Sequence, residues 1–225
     1  MDGKLHQGHR SRIDAKVRVS GLEFLEEHEQ LERLLFAVMP RGNTNELAKM
    51  LINEFGSFYN VLTADVSQLK RIEGVGHRTA EFLHDMMPLL GIVERSVISQ
   101  GKGKTILDTT EKVGDYAKSL FNGKLVENLY MISLNSHRGI ICFDKISEGT
   151  SHVAAASIHT ISKRALLNEA SYVVLAHNHP GGKLEPSVAD ISLTREVKIA
   201  LDTLDIKLID HIIVACGKWL SLMDR

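Results

Sequence analysis

The chain has 225 residues, 44% of them hydrophobic, and a formal net charge of −1. That supplies apolar material for one large core or two small ones, and the near-neutral balance excludes a global electrostatic preference for nucleic acid or an anionic membrane. Only Cys142 and Cys216 occur as cysteines, which excludes a disulfide framework and a cysteine-type zinc site and suits a reducing compartment. Both sit in apolar runs and are expected to act as small buried hydrophobes. No apolar run approaches the roughly 20 residues that span a bilayer. Met1-Asp2-Gly3-Lys4 opens no apolar signal region. Together these predict a soluble, cytoplasmic protein with no membrane partner.

Two textures divide the sequence near residues 98–104. Before that point the pattern is helical. Leu31, Leu34, Leu35 and Val38 recur at helix spacing and stop at Pro40; Leu47, Met50, Leu51 and Phe55 form a second stripe closed by Gly56; Phe58–Leu62 begins a short third helix. We read 1–97 as a small all-α domain and Ser99-Gln100-Gly101-Lys102-Gly103-Lys104 as the heart of a linker over 98–104. The rest, 105–225, alternates strands with helices. Asp108–Phe121 reads as a helix. Leu125–Leu134 and Gly139–Ile146 read as a hairpin turned at Asn135-Ser136-His137-Arg138, and Ile158–Asn168 as a crossover helix. Ser171–Ala176 reads as a strand, Ser187–Leu204 as a helix, and Ile206–Ala215 with Trp219–Met223 as closing strands. The alternation predicts an α/β domain.

In the helical half, Leu69-x-x-Ile72-Glu73-Gly74-Val75-Gly76, followed by Ala80 and Leu83, resembles a helix-hairpin-helix. There two glycines allow a tight turn, and the backbone N–H groups opening the second helix can bind a DNA phosphate. Gly74, Gly76, His77 and Arg78 are the candidate nucleic-acid contacts. Against that stands the charge count: residues 1–100 hold 12 Lys/Arg against 14 Asp/Glu, and phosphate neutralisation dominates DNA affinity. Packing of two helices needs the same turn.

The strongest chemical signal lies in the second half. His177 and His179 follow a strand, Pro180, Gly181, Gly182 and Pro186 force a loop, and Ser187 and Asp190 open a helix. Alternation along the strand puts both imidazoles on one side. With a carboxylate eleven positions after the second, three ligands can converge on one divalent ion. Three protein ligands leave a tetrahedral zinc one position for water, the mark of a catalytic site. A purely structural reading is also available: Ser187-x-x-Asp190 is a capping box, and the histidines could be loop residues. His159, at the very start of the crossover helix, is placed to orient a ligand from behind. His211 in its apolar strand reads as a satisfied core histidine, and His152 as a solvated loop residue.

The spacing His177-x-His179, seven residues, Ser187, two residues, Asp190 has the pattern of JAMM (MPN-plus) metalloproteases. His177-Asn178-His179-Pro180 with Leu208-Ile209-Asp210-His211-Ile212-Ile213-Val214 resembles the RadC branch over essentially the whole chain. Gly181 and Lys183 depart from that branch's usual loop but are not ligands in its pattern. The resemblance implies a JAMM/MPN-type (cytidine-deaminase-like) mixed sheet with flanking helices behind a helix-hairpin-helix domain. It also implies one zinc per chain held by His177, His179 and Asp190, and cleavage of a peptide or isopeptide bond in a protein or peptide substrate. Ser187 would donate to the oxyanion, and a glutamate upstream of the histidines would be the general base. Glu111, Glu127, Glu148 and Glu169 are available, and the resemblance selects Glu127.

The main alternative is a DNA-binding protein of repair or recombination, acting through the helix-hairpin-helix. An HNH nuclease spreads its residues over a ββα-metal hairpin rather than three adjacent positions. A zinc deaminase needs H-x-E and P-C-x-x-C, absent here. An MPN-type scaffold typically lacks ligands that this chain retains. A His2Asp set accepts zinc and tolerates iron, cobalt or manganese.

Overall fold

The structure, a computed structural model, describes residues 3–98, 105–149 and 154–223. Residues 99–104 of the expected linker and His152 lie outside the described residues. The chain divides into two compact units, Met1–Leu89 and Leu90–Arg225.

The first unit is all helical: α1 (Gly3–Ser20), a 3-10 turn at Leu22–Phe24, α2 (Glu27–Val38), α3 (Thr44–Phe55), α4 (Phe58–Thr63), α5 (Val66–Leu69) and the start of α6 (His77–Ile98). The apolar stripes read from the sequence form its core, with Leu31, Leu35, Leu47, Leu51, Leu69 and Leu83 buried together. Met50 of the second stripe instead faces solvent. Asn43 caps α3 by accepting from the Glu46 N–H at 3.2 Å, and Gly56 ends it in the left-handed conformation, φ 84°. α1 has too few apolar positions for its periodicity to be legible; Ile13 is its buried anchor, and Arg10 donates to the Met39 carbonyl at 2.6 Å. α6 runs on through Pro88. Residues 90–97, counted with the helical half by sequence, make their contacts in the second unit. Arg95 donates to the Ser119 carbonyl at 2.7 Å, Asn122 donates to Glu94 at 2.7 Å, and a Cβ at Gly91 would stand 2.7 Å from that same carbonyl.

The second unit is α/β. A five-stranded mixed sheet runs β2-β1-β3-β4-β5, with β1 (Asn128–Leu134), β2 (Ile140–Glu148), β3 (Tyr172–Asn178), β4 (Lys207–Ala215) and β5 (Lys218–Ser221). Only β3 and β4 pair in parallel. Alternating side chains divide the strands between two cores. Tyr130, Ile132, Val174, Ala176, Ile212 and Val214 pack under α7 (Thr110–Ser119). Leu129, Met131, Val173, Leu175 and Leu208 pack under α8 (Ala154–Leu167) and α9 (Val188–Asp202). Each fully buried Leu, Ile or Val contributes about 1.5–3 kcal/mol, so strands clamped on both faces form a rigid frame for what their ends carry.

Three elements depart from the sequence reading. The first strand starts at Asn128, which leaves Glu127 just before it. α8 starts at Ala154, so His159 lies inside the helix, and its side chain is exposed. Cys216 is exposed at the β4–β5 turn rather than buried, and Cys142 is half-buried on the edge strand β2.

Gly114 of α7 abuts the indole of Trp219, and a Cβ there would collide with the ring, whose Nε1 donates to Asp115 at 3.1 Å. Gly114→Ala is expected to lower stability by about 1–3 kcal/mol. Urea unfolding followed by the fluorescence of Trp219, the one tryptophan in the chain, measures it; an unchanged midpoint would refute the close packing.

Candidate metal centre

Parallel β3 and β4 require a crossover between them, here α9, so the C-terminal end of β3 and the N-terminus of α9 fall together. His177 is the penultimate residue of β3. The ladder continues past the strand, with the His179 N–H donating to the Val214 carbonyl at 2.8 Å, which keeps both imidazoles on one side. The loop then turns back: Gly182 donates to the His179 carbonyl at 3.0 Å with φ 82°, and a Cβ there would stand 3.1 Å from Cys216 Sγ. Ser187 and Asp190 form a reciprocal cap. The Ser187 N–H donates to Asp190 Oδ2 at 2.6 Å, and Ser187 Oγ accepts from the Asp190 N–H at 3.2 Å.

That cap aims the carboxylate. Asp190 Oδ1 lies 3.3 Å from His177 Nε2, and Oδ2 lies 3.5 Å from His179 Nε2. The two Nε2 atoms are 2.7 Å apart. Together the three residues offer ligand atoms all within 4.8 Å of one another. A tetrahedral ion about 2.1 Å from each ligand separates them by roughly 3.4 Å, close to both imidazole–carboxylate distances. That separation is longer than the 2.7 Å between the imidazole nitrogens, which part to admit an ion. His179 Nδ1 lies 2.7 Å from the Lys183 carbonyl. A carbonyl only accepts, so Nδ1 carries the proton of the neutral ring and Nε2 presents a lone pair to the centre. Burial alone would raise the Asp190 pKa, but the neighbouring His177 ring and hydrogen bonds from Ser187 hold it well below the usual carboxylate range. An ionised carboxylate and imidazole lone pairs converging on one point suit a cation. These residues fit a divalent metal.

The sequence reading leaves two things unnamed: the partners of His211 and the role of Asn178. His211 is fully buried; its Nε2 lies 2.8 Å from His177 Nδ1 and its Nδ1 lies 2.6 Å from Thr194 Oγ1. Burial pushes its pKa down to about 3. It is a satisfied core histidine, and what satisfies it is a metal-ligand candidate. The second is Asn178, between the two imidazoles. It accepts from the Asn128 N–H at 2.8 Å and donates to the Val126 carbonyl at 3.0 Å. The peptide groups on both sides of Glu127 are therefore pinned to the residue between the histidines. The available signal for each was a polar side chain inside an otherwise apolar strand.

Glu127 is half-buried. The register pairs Leu129 with His177, so Glu127, two residues earlier, stands level with His179. Glu169 lies beyond the opposite end of β3, Glu111 is exposed on α7, and Glu148 pairs with Lys145 on the edge strand. Ser187 is exposed at the mouth of α9. Gly74, Gly76, His77 and Arg78 belong to the first unit. They are exposed at the turn from α5 to α6, where Gly74 has φ 88° and Val75 donates to the Ile72 carbonyl at 3.1 Å. His77 is paired with Glu81 at 3.1 Å.

Asn178→Ala strands the buried Asn128 N–H. It should cost about 1–3 kcal/mol of stability, and Asn178→Asp, which keeps the acceptor but sets a carboxylate oxygen against the Val126 carbonyl, should be destabilised as well. Denaturant midpoints read by Trp219 fluorescence measure both losses, and an unchanged midpoint in Asn178→Ala would contradict the role of the acceptor.

Residues 107–225 match the family described as RadC-like JAB domain. The chain is 32% identical over 232 residues to a UPF0758 protein of Fusobacterium nucleatum subsp. nucleatum, covering 100% of this chain and 99% of that one. It is 30% identical over 210 residues to a UPF0758 protein of Methylibium petroleiphilum, covering 93% of each. A UPF0758 protein of Ruegeria pomeroyi is 30% identical over 217 residues, 96% of this chain and 95% of that one. Among the described residues no helix is long and apolar enough to cross a membrane. A JAB domain is consistent with a JAMM-like hydrolase family, and the His177, His179 and Asp190 group with a metal site inside it. By its second unit and by its full-length relatives, this chain belongs to the RadC family.

Proposed function

We propose that the protein is a zinc-dependent hydrolase of the JAMM type that cleaves a peptide or isopeptide bond in a protein or peptide substrate. The observation that carries this reading is the convergence of two imidazoles and an ionised carboxylate at the end of β3. When bound, zinc supplies a Lewis acid that polarises an amide carbonyl and brings the pKa of water to about 7.

The chain's own groups supply the rest. Glu127, level with His179 by register, takes the proton of the attacking water and passes it to the leaving amine. Asn178 fixes the peptides that flank it. Ser187 Oγ accepts from the Asp190 N–H, which leaves its own proton to donate to the oxyanion of the tetrahedral intermediate. Phosphate contact through Gly74, Gly76, His77 and Arg78 is the second reading, supported by the exposure of that turn. It ranks lower because His77 is engaged with Glu81 and this half has no basic excess.

Plasma mass spectrometry of purified protein should find about one zinc per chain. His177→Ala/His179→Ala and Asp190→Ala should each abolish that stoichiometry. Asp190→Ala also removes a cap, at a cost of about 1 kcal/mol, so its fold should persist. No zinc in the wild type after loading would defeat the proposal. Glu127→Gln should keep the zinc and lose amide hydrolysis in a peptidase screen; retained turnover would reassign the base.

A further inference from the structure

We infer that His211 and Thr194 are positioning residues that set the tautomer of His177 and so determine which of its ring nitrogens is free to take the metal. The inference rests on the metal-centre reading above and adds residues outside the ligand set.

The argument starts at a carbonyl. Thr194 lies one helical turn after Asp190, and its Oγ1 is 2.6 Å from the Asp190 carbonyl oxygen. Two oxygens that close attract only if a proton lies between them, and a carbonyl has none to give. The hydroxyl proton of Thr194 is therefore committed to Asp190. Thr194 Oγ1 can then meet His211 Nδ1, 2.6 Å away, only as an acceptor, so Nδ1 of His211 carries the proton. His211 is 0% exposed, and in its neutral ring Nε2 is left with a lone pair. That lone pair faces His177 Nδ1 at 2.8 Å, which must be the donor. His177 Nε2 is then unprotonated, and it is the atom that looks toward His179 and Asp190.

The opposite proton order fails at one contact. If Thr194 donated to His211, its oxygen would stand 2.6 Å from the Asp190 carbonyl with nothing between them. Only one order puts a proton in each of the three contacts that link Asp190, Thr194, His211 and His177. It leaves the two facing Nε2 lone pairs with no proton between them, the place a cation would take. It runs from the main chain of one ligand, Asp190, through α9 and β4, to the ring of another, His177. The other imidazole has a shorter version of the same device, its Nδ1 set directly by the Lys183 carbonyl. Both rings thus present Nε2 to the centre. A neighbour that fixes a ligating histidine's tautomer typically changes metal affinity by about 10–100-fold when removed.

The test uses the full chain. Long-range 1H–15N correlation of the metal-free protein should show His211 with its proton on Nδ1; an Nε2–H tautomer overturns the inference. Zinc(II) affinity, measured by competition with a chromogenic chelator, should fall about 10–100-fold in His211→Leu. Thr194→Val should weaken it in the same direction, and Thr194→Ser should restore it. The absorption bands of cobalt(II) bound to Thr194→Val should shift from those of wild type and Thr194→Ser. If His211→Leu does not fold, the threonine pair decides. Wild-type affinity in a folded His211→Leu, or in Thr194→Val, overturns this role while leaving the metal centre intact. A wild type that binds neither zinc nor cobalt overturns the metal centre itself, and this role with it.

Discussion

The parallel pairing of β3 with β4 is the constraint on which the rest of the second unit depends. Parallel neighbours cannot be joined by a tight turn, so the chain leaves β3 at one end of the sheet, crosses over as α9, and re-enters β4 at the other. The end of β3 and the start of α9 are thereby brought together by topology alone. Strand ends offer alternating side chains in fixed positions, and a helix start offers unsatisfied N–H groups that favour a carboxylate. His177 and His179 use the first property and Asp190 the second. Apolar layers on both faces of the sheet hold this junction in place.

Capping and the proposed ligation are not rival explanations of Asp190. The carboxylate has two oxygens: Oδ2 accepts the Ser187 N–H at 2.6 Å, and Oδ1 turns to His177. The cap is what gives the carboxylate a fixed direction. The same economy appears at His179, whose Nδ1 is held by the main chain of Lys183 rather than by its side chain. At Lys183, one of the positions where the loop departs from the RadC pattern, it is therefore the main chain and not the side chain that holds His179. A carbonyl is present whichever residue supplies it.

The local parts of this arrangement were legible in the sequence. The strand over Val173–Ala176, the glycine loop and the Ser187 helix start depend on residues near one another, and so does the spacing of the two imidazoles. The α/β class followed from alternating periodicities. Glu127 was reached by family resemblance alone, because a half-buried carboxylate before an antiparallel strand has no pattern of its own. His159 looked like a supporting residue only because the start of α8 was placed four residues late; inside the helix it faces solvent. α1 and the long α6 were missed as elements: one has hardly any apolar stripe, and the other carries Pro88, usually a stop.

What sequence could not show is the register between β3 and β4. Ranking His211 as a core histidine was sound on periodicity, since the strand around it is apolar. Its partner, however, is 34 positions away, and only the pairing of Leu175 with His211 brings the two rings into contact. A buried imidazole left unpartnered would cost about 1–3 kcal/mol, so a histidine in such a strand implies a polar neighbour somewhere in the fold. That obligation is readable from sequence; the identity of the creditor is not. Under the proposed metal centre two requirements meet in one side chain: the core must satisfy His211, and the ligand His177 must have its tautomer fixed. The same hydrogen bond answers both, so a polar residue in a hydrophobic strand can be structural and functional at once.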